Sequence, residues 1–471
     1  MKLTGFLFAA ALLGACTQPA AEENYTRHVD PKIGTGGHGH VFVGANVPFG
    51  LVQVGPTSIP QTWDWCSGYH ASDSTVIGFS HTHLSGTGIG DLFDITVMPV
   101  VGEVTYARGE ENDPASGLWS YADRTREITK PGYYSVPLVR YGITAELTAT
   151  ERVGLHRYTF PASDAAAVVF DLENGGCWDK ATDTGFRFSD DSTRIAGWRC
   201  STGWAKNQEV YFVAEFSKPA KGISYLQPGE IDDSKMPRIA ARYARVDFDT
   251  AEGEQVLVKV ALSPVSIEGA KANLAAELPG WDFDATAAAA DKAWNDELSK
   301  VKIETEDETS KRIFYTALYH TMVAPSLFCD VNGDYRGADG KVHENPGRDT
   351  YTTFSLWDTY RAAMPLMTVL HPERMPDIIQ TMLHIADEQG RLPVWHLWGN
   401  ETDCMVGNPG IVAVADAIVK GIGGFDREKA FETIRKTAMN PDRGNGLRME
   451  YGYIPCEMFN EAVAYDMEYA L

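Results

Sequence analysis

Two stretches of the 471-residue sequence set carboxylates beside indole rings: Trp357-Asp358-Thr359-Tyr360-Arg361, and Leu392-Pro393-Val394-Trp395-His396-Leu397-Trp398-Gly399-Asn400-Glu401. Flat rings cover the apolar faces of a pyranose while carboxylates hold hydroxyls or move protons, so this pairing suits a sugar pocket. On a helix Asp358 and Arg361 share a face, which makes an intrahelical ion pair the plain alternative. Glu401, in a loop after Gly399-Asn400, would stand opposite Asp358 as the second member of a carboxylate pair. The separation of such a pair decides between retaining and inverting geometry.

Three further constellations carry possible chemistry. Gln61-Thr62-Trp63-Asp64-Trp65-Cys66-Ser67-Gly68-Tyr69-His70 packs three aromatics and an acid into one segment, either as a sandwich edge or as a sugar platform. Ile33-Gly34-Thr35-Gly36-Gly37-His38-Gly39-His40 lacks the Lys-Ser/Thr of a phosphate loop and precedes no helix pattern, so its glycines are read as allowing close backbone approach. The pairs His38/His40 and His81/His83 have i,i+2 spacing and, with Asp91 and Asp94, form a possible transition-metal set; such pairs also occur in loops without metal. A serine nucleophile is disfavoured because no Gly-x-Ser-x-Gly turn occurs.

The elements that must position these residues change character along the chain. Up to about residue 265 the pattern is one of strands: Ile143, Ala145, Leu147 and Ala149 alternate with polar residues, as do Val256, Val258, Val260 and Leu262. Many strands without intervening helices predict an antiparallel sandwich over 26–265. Residues 266–304, rich in Ala, Glu and Lys around Leu278-Pro279-Gly280, predict a helical linker. From 305 to 471 helices dominate, one closing at Gly390 and others capped at Asn408 and Asp426. About six helices ending without a C-cap predict an α/α toroid of which only the first half is present.

Composition narrows the function classes. Lys plus Arg total 41 against 64 Asp plus Glu, a formal charge of −23, which excludes nucleic acid as a partner because no basic stripe is available to release phosphate counterions. Residues 1–16 read as a lipoprotein signal with lipobox Leu13-Gly14-Ala15-Cys16, Cys16 being the lipidated residue and 17–25 a tether. An ordinary secretory signal is the alternative. The predicted location is the bacterial cell envelope, with membrane contact only through that anchor. Cysteines 66, 177, 200, 329, 404 and 456 remain, of which Cys177 and Cys200 are nearest in sequence, and their pairing is left open.

The chain resembles glycoside hydrolase family 92, the bacterial calcium-dependent exo-α-mannosidases. The resemblance rests on Val29 to His40, Trp63 to His70, Gly78-Phe79-Ser80-His81-Thr82-His83-Leu84-Ser85-Gly86-Thr87-Gly88, Pro279 to Phe283, Phe354 to Arg361 and Leu392 to Met405. It implies a β-sandwich, a helical linker and an (α/α)6 barrel with the active site between them. It also implies hydrolysis of terminal α-mannosides, α-1,2 linkages expected, by inversion with Ca2+ as template. The family's general acid sits in an Asn-Glu-Pro motif that residues 1–471 lack: Asn400-Glu401 is followed by Thr402. The expectation is therefore that Trp63, Trp65, Cys66, Trp357, Asp358, Asn400 and Glu401 form mannose-binding walls. The catalytic acid and base would lie beyond Leu471, leaving this form inactive alone. A non-catalytic glycan-binding surface lipoprotein is the rival reading.

Overall fold

The computed structural model describes residues 23–187, 191–228 and 238–470. The signal peptide with Cys16, and the tether up to residue 22, lie outside the described residues. Among the described residues no helix is long and apolar enough to cross a membrane.

Two antiparallel sheets build the N-terminal region. The six-stranded sheet runs Gly55–Thr57, Gly78–Ser80, Thr96–Val101, Ser163–Asp171, Ala241–Thr250, Gly222–Pro228. The nine-stranded sheet runs Arg238–Ile239, Lys180–Arg187, Arg194–Thr202, Gln208–Phe216, Glu254–Ser263, Val153–Phe160, Ile143–Ala149, Tyr133–Leu138, Ile128–Lys130. Aromatic rings meet between the sheets: Phe170 stacks on Phe212 at 5.9 Å, and Phe79 lies 6.3 Å from Tyr158. Period-two alternation gives the nine-stranded sheet a second apolar face. Val153, Leu155, Val213 and Ala261 on that face pack against Ile267, Ala270 and Leu274 of helix α1, Ile267–Glu277. Helix α2, Phe283–Leu298, starts at Asp282, whose side chain accepts from the Ala285 amide. It buries Trp294, whose indole N–H donates to the Asn46 carbonyl at 2.7 Å and whose ring lies 4.4 Å from Tyr319. Tyr319 belongs to α3, Glu308–His320, so Trp294 ties linker, sandwich loop and helical region together.

The helical region holds α4 (Leu356–Thr359), α5 (Ala363–Leu370), α6 (Met375–Gln389), α7 (Pro409–Val419), α8 (Arg427–Ala438), α9 (Asn445–Tyr451) and α10 (Ala462–Ala470). Helix α7 touches α4, α5, α6 and α8, and α6 also touches α8. Short hairpins are interleaved with them, the site-bearing one being the three-stranded sheet Phe354–Ser355, Trp395–Leu397, Asn400–Glu401. Helix α6 buries a broad face from Met375 to Ala386 and takes α7 and α8 as neighbours along it.

Candidate functional site

The segment Trp63–Trp65 is a single 3-10 turn, which sends its two indoles in different directions. Trp63 is 48% exposed; its indole N–H donates to the Gly88 carbonyl at 2.7 Å, and the edge of His40 meets its ring at 4.2 Å. Asp64 accepts from His38 Nδ1 at 2.5 Å and faces His40 Nε2 at 3.5 Å, and the His38 hydrogen bond holds its carboxyl below the usual range. Trp65 turns inward, donating to Asp73 at 2.6 Å and stacking on His70 at 4.3 Å. Cys66 is buried with its thiol on the Thr87 carbonyl, and burial pushes that thiol up to about 12. All six described cysteines are free thiols.

Trp63 and Cys66 both rest on the loop Thr87–Asp91, and two other indoles are hung from the same loop. Trp178, which sequence reading passed over, is 47% exposed while its backbone N–H donates to the Gly90 carbonyl at 2.8 Å. Asp91 accepts the Ala205 amide at 2.8 Å, which fixes Trp204, and Trp204 packs on Trp395 at 4.4 Å. The glycines are required here by close approach: a Cβ would stand 2.6 Å from the Trp63 ring at Gly88, and 2.5 Å from Cys177 at Gly90. Below the loop lies fully buried Arg199, paired with Asp94 at 2.6 Å and with Asp179, and donating to the Leu172 carbonyl. Asp94 also accepts from Thr82 and Gln208. Burial raises the Asp91 carboxyl, and the nearby Asp179 charge adds to the shift.

On the helical side, Asn400 bridges the two regions. Its Oδ1 accepts the Asn207 amide and its Nδ2 donates to the Asn207 carbonyl, both at 3.0 Å. Glu401 is occupied by backbone donors: the amides of Val394 at 2.8 Å, Trp395 at 2.9 Å and Asp403 at 3.0 Å, with the Gln389 side chain at 3.3 Å. Asp358 accepts from the Ser355 hydroxyl. Arg361 does not close the intrahelical pair; it lies 4.7 Å over the Trp357 ring and bonds Glu468 at 3.1 Å. The buried Trp357 indole N–H has no acceptor among the described residues. Burial raises the Cys404 thiol, and the Asp358 and Glu401 charges add to the shift. The Trp63 group connects to Asn400 and Glu401 through Gly88, Gly90, Asp91, Ala205 and Asn207.

The histidine pairs do not converge. His81 and His83 are buried, each with Nδ1 on a backbone carbonyl, and His81 continues through His156 to Tyr158. Desolvation lowers His81 to about 3 and His83 to about 4, so both stay neutral core residues. Among the described residues one group brings three ligand atoms together: Glu297, His371 and Glu373. The Lys300 ammonium already fills it, 2.8 Å from each carboxylate and 3.2 Å from His371. Calcium takes six to eight oxygens, so this group does not fit the ion.

Family models match both regions: the glycosyl hydrolase family 92 N-terminal domain over residues 28–263, and the family 92 catalytic domain over residues 269–471. The catalytic-domain match overturns the expectation of a toroid of which only the first half is present. A solved family GH92 α-mannosidase of Bacteroides thetaiotaomicron, in complex with mannoimidazole, is 37% identical with a TM-score of 0.90 over 95% of this chain and 60% of that one. An inverting GH92 mannosidase of the same species, strain VPI-5482, is 27% identical with a TM-score of 0.82 over 95% of this chain and 61% of that one. A protein of Arthroderma benhamiae named as an uncharacterized secreted glycosidase is 25% identical over 93% of this chain and 56% of its own length. The chain thus spans less than two thirds of these relatives. It belongs to glycosyl hydrolase family 92.

Proposed function

We propose that the protein is an exo-acting α-mannosidase that releases terminal mannose from α-linked glycans, α-1,2 linkages among them, with inversion. The observation that carries this reading is the 37% identity, over 95% of the chain, to an α-mannosidase solved with mannoimidazole. The arrangement of the site supports it. Trp63 offers an exposed indole face to a sugar ring, with the His38–Asp64 pair beside it to bond hydroxyls. Asp358, bonded by Ser355, keeps acceptor capacity for a hydroxyl. Trp65, Cys66, Asn400 and Glu401 hold the wall from behind, since most of their polar atoms already have protein partners, and Trp357 adds an indole whose ring lies under Arg361. Calcium would act as a template on sugar hydroxyls. Its use rests on the family resemblance. Lipidation at Cys16 and residence in the cell envelope belong to the same proposal; the secreted description of the Arthroderma benhamiae relative is consistent with export.

The test is mannose release from α-1,2-mannobiose by the full chain, followed by NMR of the first-formed anomer and repeated after exhaustive chelation. β-Mannose that disappears with calcium removal is expected. No release from any α-mannobiose would sink the activity, and α-mannose as first product would sink inversion. The glycan-binding rival is favoured by the occupied oxygens of Glu401, and calorimetric binding of mannobiose without release would establish it.

A further inference from the structure

We infer that Trp178 is a stacking platform for the sugar on the leaving-group side, so that the protein selects glycans at least one residue longer than the mannose it removes. The inference rests on the mannosidase reading above. Trp178 stands on a segment that cannot retract. Its own amide is held by Gly90, the Gly176 amide by the Leu92 carbonyl, and the Gly175 carbonyl by Arg108 at 3.0 Å. The next residue, Asp179, is locked to buried Arg199. An indole left 47% exposed on such a fixed backbone is apolar surface awaiting a flat partner.

Position and chemistry assign the side. Trp63 lies against Gly88 and Cys177 against Gly90, and two residues of chain span at most about 7 Å, so the segment carrying Trp178 meets the same short loop that carries Trp63. Trp63 is flanked by His38, His40 and Asp64, groups able to fix individual hydroxyls. Among the described residues Trp178 has no such company: Cys177 packs on Gly90, and Asp179 points down to Arg199. A ring that stacks without reading hydroxyls suits the part of a glycan whose identity varies. A ring surrounded by ionisable groups suits the sugar that is recognised and removed.

Trp178→Ala in the full chain tests this by comparing kcat/KM for α-mannotriose with that for α-mannosyl fluoride, which carries no leaving-side sugar. Loss of one aromatic stack lowers the ratio about 3- to 10-fold, and Trp178→Phe restores most of it. An unchanged ratio overturns the inference. If the wild type releases mannose from neither substrate, the mannosidase reading fails instead. Calorimetry with mannotriose then still decides: weaker binding by Trp178→Ala than by wild type supports the platform, whereas equal affinity or no binding to either overturns it.

Discussion

Glu401 is the residue where a catalytic and an architectural reading diverge most sharply in measurable terms. Its Oε1 accepts the amides of Trp395 and Asp403, and its Oε2 accepts that of Val394 and the Gln389 side chain. The side chain is 9% exposed, so water cannot replace these partners. Glu401→Gln keeps one oxygen and turns an NH2 toward donors on the other side, so at least one backbone N–H loses its acceptor. A hydrogen bond to a charged group contributes about 1.5–3 kcal/mol, and the remaining ones weaken with the charge, giving a cost of about 2–4 kcal/mol. With a urea dependence of about 2–3 kcal/mol per M, the unfolding midpoint falls by about 1 M. The assay is urea unfolding followed by tryptophan fluorescence, run beside the pH profile of mannose release. An unchanged midpoint together with a lost limb of the pH profile would refute the architectural reading and restore Glu401 to proton transfer.

Asn400→Ala removes two bonds to the Asn207 backbone and one to the Trp398 carbonyl; in this exposed setting the loss is about 1–2 kcal/mol. Hydrogen exchange at the Asn207 amide is expected to accelerate, and unchanged protection there would show that Asn400 is not the clamp. Asp330, bonded by Ser263 and Asn273, is raised by burial from the usual 3.8 to about 6. The folded state therefore holds a proton that the unfolded chain releases between about pH 4 and 6, so the wild type loses stability as pH rises through that window. Asp330→Asn is expected to flatten this slope, and identical slopes in both proteins would refute the assignment.

The sequence made the sandwich legible where one face of a strand is buried and the next residue is not, as from Ile143 to Ala149. Helix stops were legible where backbone chemistry demands them: Gly390 takes the left-handed position after α6, with φ 91°. The half ring was an error of inference from connectivity, because succession along the chain does not say which helix faces which. The site was legible as a composition of indoles and carboxylates, but not as a division of labour. The partners of Glu401 are backbone amides brought round by Trp398 and Gly399, both at positive φ, and no side-chain pattern encodes them. Trp178 escaped notice because Asn174-Gly175-Gly176 reads as a turn signal, which hides the platform that follows it. His81 and His83 are both buried, with Thr82 between them buried as well, so the pair belongs to the interior.

The buried Arg199 anchor also bears on the entropy of recognition. Because the segments carrying Trp63, Trp178 and Trp204 are immobilised through Asp91, Asp179 and their loop amides when the chain folds, a glycan settling on them freezes no backbone of the protein. The loss of freedom on binding falls on the sugar's own glycosidic torsions. Stiff, branched glycans would then gain more from this face than flexible linear ones offering the same number of rings.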